Sequence, residues 1–239
     1  ELDGKLPVAQ AMAIARQSFR ADIEAGFNYL HIDPTKCPHP HTQDDLVAWT
    51  AELVASCESV RAELGRGEID YEVGTEDIQG GLTTAETFEA FLGKLTARLA
   101  AERLPLPTCV VGQTGTLCRC DRNVGRFDAE GTARLVAIAA RFGVGFKEHN
   151  GDYLPDESCR LHPPLGVTGM NVAPEFGLVE TDALLDLEGS GLQNTLYGFR
   201  QLLLDNQDPK TRRARAHWGQ WRELVAFWGP RPGISMLRH

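Results

Sequence analysis

The chain has 239 residues, 42% of them apolar and 24% charged. That suits a globular chain with one substantial core or two small ones and argues against disorder or a fibrous architecture. Its net charge of -9 opposes unspecific attraction to a polyanion, so nucleic acid is a poor partner, and no run approaches the roughly 18 consecutive apolar residues of a membrane span. The N-terminus lacks the basic-then-apolar pattern of a secretory signal. Six cysteines are too sparse for a disulfide scaffold at this length, which predicts a reducing cytoplasm. The short runs Cys37, His39, His41 and Cys118, Cys120 lack the two-residue gap of common zinc knuckles and are read as free thiols and a proline-rich loop.

In chain order the sequence alternates helical periodicity with short apolar runs, the order that predicts a parallel sheet covered by helices. A helix is predicted over 8–25, with apolar repeats at Ile14, Phe19 and Ile23, then a strand over 28–33 (NYLHID). A helix over 43–64 leads to a strand over 70–75 (DYEVGT), and a helix over 84–103, capped by Thr84, to a strand over 108–113 (TCVVGQ). A helix over 129–141 precedes strands over 144–149 (VGFKEH) and 167–172 (VTGMNV). Further helices are expected over 180–187, 192–204 and 212–227. In the last of these Trp218, Trp221, Leu224, Val225 and Trp228 recur at three and four residues as a packing stripe. The segment 210–239 holds seven basic residues and one acidic, leaving -15 on the preceding body, a polarity that suits self-docking or subunit contact.

Polar residues gather where the strands end: His31 and Asp33, then Glu72, Thr75 and Glu76, then Gln113, then His149 and Asp152, then Asn171 and Glu175. In a barrel of parallel strands the active site lies at that edge, because loops from different strands converge there. An open doubly wound sheet gathers such groups at one crevice instead. His31 and Asp33 are two apart on a strand and share a face, so they enter one site together or neither does. Glu72, Gly74 and Glu76 share a face in the same way, and paired carboxylates at a barrel mouth can hold a divalent metal or exchange a proton.

Four motifs in order, one per strand, carry a family resemblance. They are Ala25-Gly26-Phe27 with His31 and Asp33; Tyr71 to Glu76 with Gly80-Gly81; Val110-Val111 with Gln113; and His149-Asn150-Gly151-Asp152-Tyr153. Together they resemble the class II tagatose-bisphosphate aldolase family, most closely its larger, so-called non-catalytic subunit, over roughly residues 6–188. The resemblance implies a (β/α)8 TIM barrel of which this chain holds strands four to eight, with three strands expected before Glu1. Residues 1–190 would be the barrel part and 191–239 a helical extension packed on it.

The resemblance further implies a metal-dependent enzyme that acts on a ketose or ketose phosphate, by aldol cleavage or by retro-aldol epimerisation. The cofactor would be a divalent metal, zinc first. His149 would be a ligand on the seventh strand, and Asn171-Val172-Ala173 is similar to the run that helps hold a substrate phosphate. On this reading Glu76, Gln113 and His149 hold the metal, Asp33 and Asp152 move protons, and His31, Thr75, Asn171 and Glu175 contact the sugar. The acidic groups expected at the mouth outnumber Lys36, Arg119 and Lys147, so either a metal neutralises several carboxylates or the substrate carries fewer phosphates, and an uncharged or singly phosphorylated sugar fits better than a bisphosphate. The family's sixth-strand histidine has no match, since Gln113, Thr114 and Thr116 stand there, and Pro174 follows the N-V-A run. Those departures support the alternative, a non-catalytic subunit that stabilises a catalytic aldolase partner. A homo-oligomer is the other assembly expected.

Overall fold

The computed structural model describes residues 6–37, 39–74, 84–119, 122–172 and 175–179. The expected helices over 180–187, 192–204 and 212–227, with their tryptophan stripe, lie outside these residues. So do Thr75, Glu76, the Gly80-Gly81 pair and Cys120.

Helix α1 (Val8–Ala25) starts behind Pro7 and stops at Gly26, whose φ of 94° is open to glycine without strain. Strand β1 (Tyr29–Ile32) follows, and Asp33 caps the single 3-10 turn Pro34–Lys36. Thr42 and Asp45 close a reciprocal capping box on α2 (Gln43–Glu63), and β2 (Asp70–Gly74) comes next. Thr84 caps α3 (Ala85–Glu102) through the Thr87 amide, as its position predicts. Next come β3 (Cys109–Gly112), a two-stranded antiparallel hairpin of β4 (Cys118–Arg119) and β5 (Arg122–Asn123), and α4 (Ala129–Arg141), capped by Asp128. Strand β6 (Gly145–Glu148), α5 (Asp156–Leu165) and β7 (Val167–Met170) complete the described elements.

The sequence reading missed α5 and the hairpin. Pro163 and Pro164 lie in the last turn of α5, so the two N–H donors they lack are missing only from the end of the helix and the turn before them is formed. The hairpin strands are two residues each, too short to show a period.

The chain divides into two compact units: Glu1–Gly115, Asp128–His149 and Arg160–Gly169 in the first, Thr116–Phe127, Asn150–Cys159 and Met170–His239 in the second. In the first unit the sheet runs in the order β1-β2-β3-β6-β7, and the pairings of β1 with β2, β2 with β3 and β3 with β6 are parallel. Strand order follows chain order, so the described strands contain no switch point of the doubly wound kind.

One face of each strand supplies Leu30, Ile32, Tyr71, Val73, Val110 and Phe146 to a core that also holds Ile23 of α1, Val54 of α2, Leu95 of α3 and Ile138 of α4. The helices therefore cover that face, as in successive units of a singly wound β/α fold. Tyr71, fully buried, donates its hydroxyl to Glu58 on α2 at 2.8 Å, and Phe88 of α3 meets Phe146 of β6 edge to face. All five described cysteines are free thiols. No helix among the described residues is long and apolar enough to cross a membrane.

Candidate functional site

The period of two that sends Leu30, Tyr71 and Phe146 to the helices sends Tyr29, His31, Glu72, Cys109, Val111 and Lys147 to the opposite face. Register then decides which of these meet: His31 stands beside Glu72, Glu72 beside Cys109, and Val111 beside Lys147. Glu72 is the hub. Its side chain is 3% exposed and takes three donors: Nδ1 of His31 at 2.8 Å, Nζ of Lys147 at 2.5 Å and the Tyr29 hydroxyl at 2.9 Å. Lys147 also lies over the Tyr29 ring, 5.6 Å from its centroid, and Cys109 Sγ is 3.0 Å from the same hydroxyl.

The protonation states follow from these partners. Burial alone would push the Glu72 carboxyl up, but hydrogen bonds from His31, Lys147 and Tyr29 outweigh it and bring the pKa down to about 2. The Asp33 and Glu72 carboxylates raise His31 to about 9, so its ring is an imidazolium at neutral pH. Burial resists ionisation of Asp33 too. There the His31 ring and the Thr35 hydroxyl and amide prevail and hold the carboxyl below its ordinary range. Tyr29 and Cys109 are pushed up, chiefly by burial, and stay neutral.

His31 and Asp33 lie side by side. Asp33 Oδ1 accepts the Thr35 amide at 3.0 Å and the Thr35 hydroxyl, while Oδ2 stands 3.9 Å from His31 Nε2. That separation is beyond hydrogen-bond distance, and among the described residues Nε2 has no hydrogen-bond acceptor closer. The His31 side chain is 44% exposed. A solvent-reaching N–H and an ionised carboxylate oxygen therefore face one small gap. Gly74 makes room for this arrangement, because a Cβ there would lie 2.6 Å from Asp33 Cγ.

Elsewhere in the first unit, Gln113 lines a cavity of about 360 Å³ with Thr84, Thr114, Asp128 and Arg134. His149 is half-buried directly after β6. Thr114 donates to the fully buried Glu148 at 2.7 Å, and Glu148 also bonds His162 of α5. Sequence reasoning missed this buried trio, since only register and the packing of α5 bring it together.

In the second unit Asp152 is buried. Its Oδ1 accepts the Glu175 amide at 2.9 Å, its carbonyl accepts Asn123 Nδ2 at 3.0 Å, and Cys118 Sγ lies 3.7 Å from Oδ2. Glu175 returns a carboxylate bond to the Tyr153 amide at 2.7 Å, and the Asn171 carbonyl accepts the Gly151 amide at 3.0 Å. Tyr153 holds a φ of 58°, uncommon outside glycine. Burial and the Asp152 charge push the Cys118 thiol up to about 11. Asp152, Glu175 and the Asn171 backbone are thus joined in one loop network.

Of the expected metal ligands, Glu76 lies outside the described residues. Among the described residues no three His, Cys, Asp or Glu side chains converge to hold a metal ion. Gln113 and His149 do not form such a site by themselves.

Two solved structures share this fold. A protein from Sinorhizobium meliloti 1021 described as a probable tagatose 6 phosphate kinase matches 98% of this chain and 64% of its own, with a TM-score of 0.63 and 19% identity. The YdjI aldolase from Escherichia coli K12 matches 93% of this chain and 64% of its own, with a TM-score of 0.52 and 13% identity. The chain thus spans 64% of the length of each. At these identities the likeness shows the fold, an α/β arrangement with a parallel sheet that an aldolase also uses. No protein-family model matches the chain.

The sequence reading set Glu72 among the strand-end carboxylates and Lys147 among the cations at the mouth, but joined neither to His31. The signal was present: both stand at alternate strand positions on the side that carries His31. It could be used only once the register was known.

Proposed function

We propose that this chain carries the site of a carbohydrate enzyme that cleaves or epimerises a ketose or ketose phosphate through aldol chemistry. The observation that supports it is the gap between His31 Nε2 and Asp33 Oδ2, 3.9 Å across, with a protonated donor on one side and an ionised acceptor on the other. Two ordinary hydrogen bonds of about 2.7–2.9 Å each span such a gap easily, so one carbinol oxygen can accept from His31 and donate to Asp33 at once.

Asp33 Oδ2 takes the hydroxyl proton, the oxygen forms a carbonyl, and the adjacent carbon–carbon bond breaks. Its electron pair passes to the carbon beside the ketone, where an enediolate develops. Return of the Asp33 proton to that carbon completes cleavage, whereas re-addition to the other face of the new carbonyl, with the proton returned to its oxygen, inverts the carbinol centre.

The divalent cation expected from the family resemblance rests on Glu76, Gln113 and His149. Metal analysis of the purified protein tests it. Zinc that falls in His149→Ala supports the cation, and no metal in either protein removes it. A subunit without turnover of its own is the second reading, favoured because nearly every charged group around Glu72 is already paired within the cluster. Turnover of a panel of ketoses and ketose 6-phosphates, in wild type and in Asp33→Asn, separates the two. Turnover lost in the variant supports the enzyme, and none across the panel supports the subunit.

A further inference from the structure

We propose that Glu72 is a positioning residue for His31, which holds its imidazole doubly protonated and its ring turned so that only Nε2–H is offered to a ligand. The role rests on the proposed acid–base use of His31 and Asp33, but its geometry stands by itself. Glu72 Oε1 engages Nδ1 at 2.8 Å, while Oε2 is occupied by Lys147 at 2.5 Å and Tyr29 at 2.9 Å. With both oxygens taken and the side chain 3% exposed, the carboxylate can neither rotate away nor be hydrated freely. The His31 ring is anchored at one nitrogen and open at the other, the division of labour by which a buried carboxylate orients a working histidine.

Among the described residues, the groups that face His31 are few. Asp33 follows it on the same strand, Glu72 comes from β2, and behind Glu72 stand Lys147 of β6 and Tyr29. Asp33 and Glu72 favour the charged ring, and Lys147 opposes it through the shared carboxylate. Two substitutions therefore move His31 in opposite directions. Glu72→Gln removes an anion and must lower its titration midpoint. Lys147→Met removes a cation, leaves Glu72 more negative toward the ring, and must leave the midpoint where it was or raise it. General loss of structure would move both toward the value of a free histidine.

The experiment is a histidine NMR titration of the whole chain, with ring nitrogens read by long-range nitrogen–proton correlation and His31 assigned by its loss in His31→Gln. Wild type should show both ring nitrogens protonated at neutral pH and a midpoint near 9. Glu72→Gln should titrate about one to two pH units lower, Glu72→Asp should recover part of the difference, and Lys147→Met should titrate at or above wild type. An unchanged midpoint in Glu72→Gln, with the amide spectrum of the fold retained, overturns the proposal. So does a fall in Lys147→Met equal to that in Glu72→Gln. This readout needs no substrate: the expected shifts with no sugar turnover would refute the enzyme reading alone, and turnover with an unmoved His31 would refute the positioning role alone.

Discussion

The two faces of the parallel sheet are built from alternate residues of the same strands, yet they do different work. The helix face buries Ile32, Tyr71, Val73 and Val110 to completion and ties strands to helices by apolar contact. The opposite face places His31 and Lys147 within bonding distance of Glu72 and leaves one N–H toward solvent. Apolar contacts tolerate a shift of a few tenths of an ångström. A carboxylate that serves three donors does not, so the second face depends on the first to fix its register.

That division can be broken from either side. The largest effect expected is on turnover: Asp33→Asn should lower kcat by about 10²- to 10⁴-fold, with thermal stability near wild type, as checked by steady-state kinetics and calorimetry on one preparation. Leu95→Ala, on the helix face, should show the converse. It should cost about 2–5 kcal/mol in urea unfolding, while the His31 titration stays in place wherever the protein is folded.

Gly74→Ala tests the boundary between the faces. The added methyl would press on the Asp33 carboxyl, so turnover should fall by about tenfold or more, and the stability loss should be smaller than that of Leu95→Ala. Turnover equal to wild type would show that the Asp33 position is not critical.

The pH dependence of stability sharpens the comparison further. His31 is raised from 6.5 to about 9 on folding, so its contribution is complete below 6.5 and is lost as pH rises through 9. Glu72 is lowered from 4.5 to about 2, so its contribution is present above 4.5 and is lost as pH falls through 2. Stability measured by denaturant across pH should thus decline on the alkaline side, and His31→Gln should flatten that limb. The smallest effect belongs to Tyr29→Phe, which removes one of three donors to Glu72 and should cost about 1 kcal/mol.

Much of the fold was legible in the sequence because periodicity reports burial directly. The limits of α1 and α4 coincide with the ranges predicted for them, 8–25 and 129–141. All five predicted strands appear; those over 28–33, 108–113, 144–149 and 167–172 are each shorter by two residues, and β2 runs to Gly74, the last described residue there. Strand ends were read long because residues such as Asp33 and Gln113 continue the chemistry of the strand after its ladder has stopped. Segment 156–165 was illegible as a helix, since Pro163 and Pro164 carry the same local signal in a last turn as in a loop.

The candidate site was half legible. Proximity along one strand brings His31 and Asp33 together, and the sequence contains that pairing whole. The contact of His31 with Glu72, 41 positions away, and of Glu72 with Lys147, 75 positions away, depends on strand neighbours and their register.

By itself the sequence determined the alternation of helix and strand, the apolar side of each element, and the shared face of His31 and Asp33, because these follow from spacings of two and of three to four residues. Tertiary structure alone decided that Glu72 lies between two cations, that Gly74 yields its space to Asp33, and that Glu148 finds His162. The reason is that such contacts are made between residues distant in the chain. Their free energy depends on distance and burial, and neither is a property of local sequence.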